Sequence, residues 1–278
     1  MIALERLPAG IPAKYSGVGL KKALATLLQA FYANRGVVPF NQHVNLQIWS
    51  EAKPNLKLES HNKCAYCEAP TAAVTFGDVE HFRPKSHYWW LAFCYDNYAY
   101  ACQMCNQAFK GDTFEIRGPK IAPPVPLPAK RPAKAAMERL AAQLSPDPAT
   151  STQASLQALW QGEKGSLPHP YLELPESLLA WKVDEINQEV TVVPVPGSSA
   201  SIVAVKACEK MLSLNREELK RMRFPQYDRV FSLALVVQEA RTEAVRQQAR
   251  TRLAIAARDD QPFAGMTRYF LRQWGVLE

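Results

Sequence analysis

The chain has 278 residues, of which 47% are hydrophobic and 21% charged, enough for one main core with a smaller appended region. Its 33 lysines and arginines against 26 acidic residues give a net charge of +7, which favours a polyanionic partner without establishing one. No apolar run approaches the ~18 residues of a membrane-spanning helix. The first residues, MIALERLPAG, lack the pattern of an export signal, so we expect a cytoplasmic protein with no membrane partner.

Residues 1–61 are predicted to form a helical N-terminal region. Between residues 20 and 34, in LKKALATLLQAFYAN, apolar side chains recur at helical spacing while Lys21 and Lys22 fall on the opposite side. The apolar positions are Leu20, Leu24, Leu27, Leu28 and Phe31. This pattern predicts an amphipathic helix packed on the core.

Two C-x-x-C pairs mark the next region, residues 62–117. Cys64 and Cys67 lie in KCAYCE, and Cys102 and Cys105 in CQMCN. Two such pairs make a tetrahedral site that suits zinc, and four thiolates leave no position open for water, so this zinc is structural. Residues 68–101 separate the pairs, more than the ~15–20 residues of a zinc ribbon, and must therefore fold as a unit of their own. Buried free thiols are the alternative interpretation.

Three further residues near or outside these pairs are assigned to other roles. Cys94 and Cys208 lie in apolar or helical contexts and are interpreted as core thiols. His61 precedes the first pair and could compete for zinc, but the four cysteines make it unnecessary.

A β-hairpin is predicted between the cysteine pairs. The segments AVTF and VEHF flank Gly77 and Asp78, which read as a two-residue turn. Glu80 and His81 are adjacent on the second strand and should project to opposite faces. Asn106 follows the second cysteine pair and is predicted to begin a short helix, NQAFK, packed on the hairpin. Two strands and one helix held by zinc make a ββα unit.

The order E-H-x-x-P, then N, then C-x-x-C-N-x(3)-K resembles the HNH endonuclease superfamily, also called ββα-metal nucleases. The segments VEHFRPKS, YWWLAF and DNYAYACQMCNQAFKGDTF are similar to the HNH proteins of Septu-type and retron-associated antiphage systems, as are HPYLELPESLLAW and LSLNREELKRMR further on. Asn106 departs from the signature, where a histidine is usual, but keeps an oxygen donor. The resemblance implies an α+β fold, with a zinc-stapled ββα-metal (HNH) unit embedded in a mostly helical chain.

The same resemblance implies a catalytic set of His81, Asn97 and Asn106. In this assignment His81 is the general base, and Asn97 ties the loop after His81 to the rest of the unit. Glu80 and Asn106 would supply oxygen ligands to a catalytic divalent cation, Mg²⁺ or Mn²⁺, which prefers such ligands. Arg83, Lys85 and Lys110 would contact the phosphates of nucleic acid.

The implied function is phosphodiester hydrolysis by an HNH endonuclease acting as effector of an antiphage defence system. DNA is favoured over RNA as the substrate, and an ATPase is the expected protein partner. The alternative is a non-catalytic zinc-stapled module that binds nucleic acid or protein. His87 is interpreted as a polar cap on an aromatic cluster, and Tyr88, Trp89 and Trp90 as core rather than as a platform for bases.

The second half of the chain carries weaker signals. Prolines crowd residues 118–150 around a helix-like AKAAMERLAAQL, which predicts a linker or surface excursion. Residues 151–278 are predicted to be mainly helical, with a short strand in EVTVVPVP, a break near Pro225 and a last helix in FAGMTRYFLRQW.

Overall fold

The computed structural model describes residues 1–41, 46–71 and 77–276, and these combine helices and strands in a mostly helical α+β arrangement. The helices described are α1 Gly17–Ala33, α2 Lys53–Glu59, α3 Lys134–Ala141, α4 Gln153–Trp160, α5 Ser199–Leu212, α6 Glu217–Glu239, α7 Glu243–Ala256 and α8 Ala264–Gln273. The strands described are β1 Asp78–His81, β2 Tyr98–Ala101, β3 Ala180–Asp184 and β4 Glu189–Val193. No helix in these ranges is long and apolar enough to cross a membrane.

Strands β1 and β2 form an antiparallel pair in the region between the cysteine pairs. Asp78 lies opposite Ala101, and His81 lies opposite Tyr98. The predicted first hairpin strand, AVTF, lies outside the described residues. Asp78, predicted as the second turn residue, is instead the first residue of β1, so that part of the prediction is wrong. The partner of β1 seen in the structure comes from further along the chain, after the excursion of residues 82–97.

A seven-residue π-helix, Met104–Lys110, follows the second cysteine pair. Its amide hydrogen bonds span five residues, and the last runs from Gly111 N to the Asn106 carbonyl at 2.7 Å. Gly111 adopts φ +48°, a conformation that glycine reaches without the strain of a side chain. The predicted helix after the cysteines is confirmed, but it begins two residues before Asn106 and is wider than an α-helix.

Two apolar clusters position the site, and both cross the predicted boundaries at residues 61, 117 and 150. One joins α1, through leucines including Leu24 and Leu28, to the segment Trp90–Phe93 and to Met137 of α3. The helical prediction for residues 20–34 is thus confirmed, and the proline-rich segment contributes to this core. The other cluster surrounds the four cysteines with apolar side chains of α5, α6 and α8.

The C-terminal region contains the predicted short strand as β4, which ends before the prolines and pairs with β3. The predicted break near Pro225 is wrong, because α6 runs through it from Glu217 to Glu239. Proline removes one hydrogen bond, to the carbonyl four residues earlier, but Leu219, Tyr227 and Val230 on either side of it are buried. That packing outweighs the loss.

Candidate functional site

The four cysteines form a compact buried cluster. The ligand atoms of Cys64, Cys67, Cys102 and Cys105 all lie within 4.8 Å of one another. The first pair sits in a tight loop closed by the hydrogen bond from Cys64 N to Ala69 O at 3.0 Å, and the second pair leads into the π-helix. Hydrogen bonds, first that with Cys102, hold the pKa of Cys67 well below its usual range. Four sulfurs without a backbone or carboxylate ligand fit a tetrahedral zinc ion.

Two arginines from the start of α6 lie beside this cluster, and sequence reasoning missed both. Arg216 Nη1 is 4.0 Å from Cys105 Sγ. Arg223 is fully buried; its Nη1 donates to Val190 O at 3.2 Å, while Nε and Nη2 have no acceptor in the described residues. Burial lowers the pKa of Arg223 to about 10. Zinc with four thiolates would carry a net charge of −2, which the two guanidinium groups would balance with charge of equal magnitude and opposite sign.

An open cleft of about 330 Å³ lies along β1 and the first turn of the π-helix. It contains His81 and Asn106, together with charged side chains that include Asp78, Lys53 and Lys85. Asp78 is close to Glu80 in sequence and was the competing carboxylate there, whereas sequence reasoning missed Lys53, which belongs to none of the motifs. The cleft is polar, and it brings together the predicted base and both predicted ligands of the divalent cation, because Glu80 lines it as well.

His81 is held as a neutral imidazole. Its ring lies against Trp49 and Tyr98, with ring centroids 5.2 and 5.0 Å away. Burial, with help from Lys85, lowers the pKa of His81 to about 3. Nε2 lies 3.1 Å from Ala92 O, and because a carbonyl only accepts, Nε2 carries the ring proton. The other nitrogen, Nδ1, is therefore the basic one.

The face of β1 that carries Asp78 and Glu80 contacts the π-helix at two places. Asp78 Oδ2 accepts hydrogen bonds from Asn106 Nδ2 at 3.2 Å and from Gln107 Nε2 at 2.7 Å. Glu80 Oε1 lies 2.5 Å from Lys110 Nζ, and both side chains are buried. His81, the next residue, has other neighbours, namely the rings of Trp49 and Tyr98 and the Ala92 carbonyl. The carboxylate beside Asn106 is therefore Asp78.

Two residues assigned from the sequence have partners that the motif does not predict. Glu80 was expected to ligate the cation, but its carboxylate is engaged by Lys110, and burial raises its pKa. Lys110 was expected to contact phosphate, but it is fully buried and also donates to the His81 carbonyl at 3.1 Å. In the structure these two charges are paired with each other, and the roles assigned to them from the motif stay predictions.

Asn97 ties down the loop that follows His81. Its Oδ1 accepts from Arg83 N at 2.9 Å, and its Nδ2 donates to Arg83 O at 3.0 Å. This placement fits the positioning role expected for Asn97. Arg83, an expected phosphate contact, lies elsewhere: its side chain is buried, and Nε donates to Glu163 Oε2 at 2.7 Å. Of the three predicted basic contacts, only Lys85 lines the cleft.

The remaining sequence interpretations concern single side chains. Cys94 and Cys208 are buried, as expected of core thiols, and burial raises the pKa of each to about 12. Tyr88 and Trp90 are buried too, whereas Trp89 is only partly buried.

Comparison with known proteins yields one partial similarity. An alignment of 74 residues is 34% identical to the Septu protein PtuB of Bacillus mycoides (strain KBAB4), and it covers 22% of this chain and 25% of that protein. The similarity thus spans about a quarter of that relative's length. No family model matches the chain, and no solved structure matches it.

Proposed function

We propose that this protein is a metal-dependent HNH endonuclease that hydrolyses phosphodiester bonds of nucleic acid. The observation that carries the proposal is His81: a nearly buried, neutral imidazole whose Nε2 proton is directed to a carbonyl, in an open cleft that also holds Asp78 and Asn106. A structural histidine has no need of such a cleft. A general base needs both a free basic nitrogen and access for water.

In the proposed reaction His81 Nδ1 accepts the proton of the water that attacks phosphorus. The Ala92 carbonyl holds the ring in the correct tautomer, since it accepts from Nε2 and also from the Tyr98 hydroxyl at 2.5 Å. Asn97 positions the loop that leaves β1. A base whose pKa is about 3 is a weak one, so its contribution depends on orientation and on preserving the neutral form.

Asn106 and Asp78 are the groups proposed to hold a divalent cation, Mg²⁺ or Mn²⁺. An amide oxygen and a carboxylate oxygen are the donors that such hard cations prefer. When bound, the cation would relieve charge on the phosphate oxygens and on the departing alkoxide. Lys53 and Lys85 line the same cleft and would attract the polyanion before cleavage.

The partial similarity to a Septu protein supports a role in antiphage defence. By the same resemblance, the nuclease would act with an ATPase partner, in the cytoplasm, with DNA favoured over RNA as substrate. The net charge of +7 agrees with a polyanionic substrate. These assignments of substrate and partner belong to the proposal and depend on the resemblance.

The test is a cleavage screen of purified protein on DNA and RNA with Mg²⁺ or Mn²⁺, alone and with its neighbouring-gene partner. We expect His81→Ala to reduce cleavage by about 10²–10⁴-fold, because it removes a positioned base. The thermal unfolding midpoint and zinc content of His81→Ala serve as controls for folding. Undiminished cleavage by His81→Ala would refute the mechanism. Binding without cleavage under every metal would favour the non-catalytic zinc-stapled module.

A further inference from the structure

A second hollow adjoins the catalytic cleft. It has a volume of about 420 Å³ and is lined by the turn of residues 36–41 and by Lys85, Ser86, Trp89 and Asp112. Lys85 and Asp112 line the catalytic cleft as well, so these two side chains form a shared edge between the hollows. A ligand in the cleft that extends beyond Lys85 would therefore enter this second hollow, which we call the aromatic groove.

The aromatic groove differs from the cleft in its lining. Its surface includes the rings of Phe40 and Trp89 and the side chain of Val37, which is 67% exposed. Trp89 stacks on Phe31 with ring centroids 4.3 Å apart and an angle of 18° between the rings. Trp89 is thus fixed in position but not enclosed. A flat apolar group can stack on an indole that is partly exposed, rigidly held and next to exposed apolar surface.

Lys85 connects the two hollows electrostatically. Its Nζ lies 5.1 Å from the centre of the Trp49 ring, in the cleft, and 5.9 Å from that of the Phe40 ring, in the groove. A positive charge between a catalytic cleft and an aromatic surface matches the order phosphate, then base, along a nucleic acid strand. Asp112, on the same edge, repels phosphate, so the backbone should pass on the lysine side.

We propose that the aromatic groove binds an unpaired nucleobase next to the cleaved phosphate, so that the substrate class is single-stranded nucleic acid. A base can stack on an aromatic side chain only if its face is free, and in a duplex both faces are covered by neighbouring base pairs. The inference rests on the proposed nuclease function, because it assumes that the scissile phosphate lies in the cleft.

The test measures binding rather than cleavage. Labelled single-stranded and double-stranded DNA and RNA of equal length are titrated by fluorescence anisotropy with the His81→Ala protein, which leaves the probes intact, at fixed low salt. We expect tighter binding of the single strands. Trp89→Ala in the same background should weaken single-strand binding about tenfold or more and leave duplex binding unchanged, whereas Trp89→Phe should retain most of it.

Tyr32→Ala is the matched control, since Tyr32 also packs against Phe31, at 5.4 Å, but does not line the groove. It should bind single strands as the His81→Ala parent does. Equal affinity for single strands and duplexes, or full single-strand binding by a folded Trp89→Ala protein, would overturn the proposal. Trp89-dependent binding in this background, together with a parent protein that cleaves neither DNA nor RNA with any metal tried, would uphold the groove and refute the nuclease, so the two failures are distinguishable.

Discussion

The cysteine cluster and the polar cleft around His81 lie side by side on one short helix, yet they are built in opposite ways. Cys105 is fully buried, and its sulfur joins three others from two separate loops. Asn106, the next residue, lines an open cleft. Asp78, which it contacts, has no ion pair among the described residues, whereas the thiolates have two arginines nearby. In the buried cluster the negative sulfurs have positive arginines beside them. In the open cleft the Asp78 carboxylate has no cationic partner among the described residues and could bind a cation.

The difference suggests a division of labour along the π-helix. A closed metal site fixes backbone, because its ligands must converge from distant parts of the chain. Lys110, at the end of the same helix, is tied to β1 through Glu80 and the His81 carbonyl. Both ends of the helix are thus held, and between them Asn106 Nδ2 donates to Asp78 Oδ2 at 3.2 Å. If the two sites are separate in this way, substitutions at Cys105, Asn106 and Arg216 should have different consequences.

The largest effect is expected from Cys105→Ser, which removes one of four thiolates. Binding free energies of structural zinc reach about 10 kcal/mol, so the variant should lose zinc and much of its folding stability. Measured zinc per chain and the thermal unfolding midpoint, with and without a chelator, report this. Chelation should destabilise the parent and leave the variant almost unchanged.

Asn106→Ala, at the next residue, should reduce cleavage without reducing zinc content or stability. It truncates a partly exposed amide and should keep zinc content and unfolding midpoint near parental values. Cleavage should fall about 10²-fold or more, since the proposed cation loses a ligand and binding of Mn²⁺ weakens. If both variants lost zinc to the same degree, the two sites would not be separable, and the division of labour would be wrong.

A smaller effect is expected when the charge beside the zinc site is changed. Arg216→Met removes the guanidinium 4.0 Å from Cys105 Sγ but keeps an apolar stem. We expect zinc to transfer to a competing chelator about tenfold more readily, the lower end of the effect of outer-shell partners. Arg221→Met, on the same helix but paired with Glu217 and Glu189 at the surface, is the control. Equal zinc affinity in all three proteins would show that Arg216 does not stabilise the centre.

The parts of this molecule that could be read from sequence are those encoded by local spacing. Two C-x-x-C pairs suffice to predict the cysteine cluster, and leucines at helical spacing suffice for α1. Strand alternation correctly separates Glu80 from His81. It cannot say which helix residue faces which strand residue, so the pairing of Glu80 with Lys110 was missed.

Long-range packing explains the other differences. Arg83 lies within the E-H-x-x-P motif, but its partner Glu163 lies far along the chain. No sequence spacing predicts that these two residues pair. Lys53 reaches the cleft only through the tertiary fold. Burial decides whether a cation contacts phosphate or a buried carboxylate, and a local motif carries no information about it.

The dependence of stability on pH tests whether the folded protein holds His81 neutral. Burial lowers the pKa of His81 to about 3 and that of His169 well below its usual value. The unfolded chain binds these protons near pH ~6.5, but the folded protein does not. The free energy of unfolding is therefore highest above pH ~6.5 and falls as the pH decreases, by up to about 1.4 kcal/mol per pH unit for each histidine.

Urea unfolding of the parent, His81→Gln and His169→Gln between pH 7 and pH 5 measures this dependence. Each variant should show a shallower decline than the parent, and the double variant the shallowest. Acid also displaces zinc, but it does so in all four proteins, so the differences between them isolate the histidines. If the free energy of unfolding declined equally with pH in the parent and in His81→Gln, His81 would have the same pKa in the folded and the unfolded protein. The imidazole would then be solvated rather than held neutral against Ala92, and the proposed base would lose its structural support.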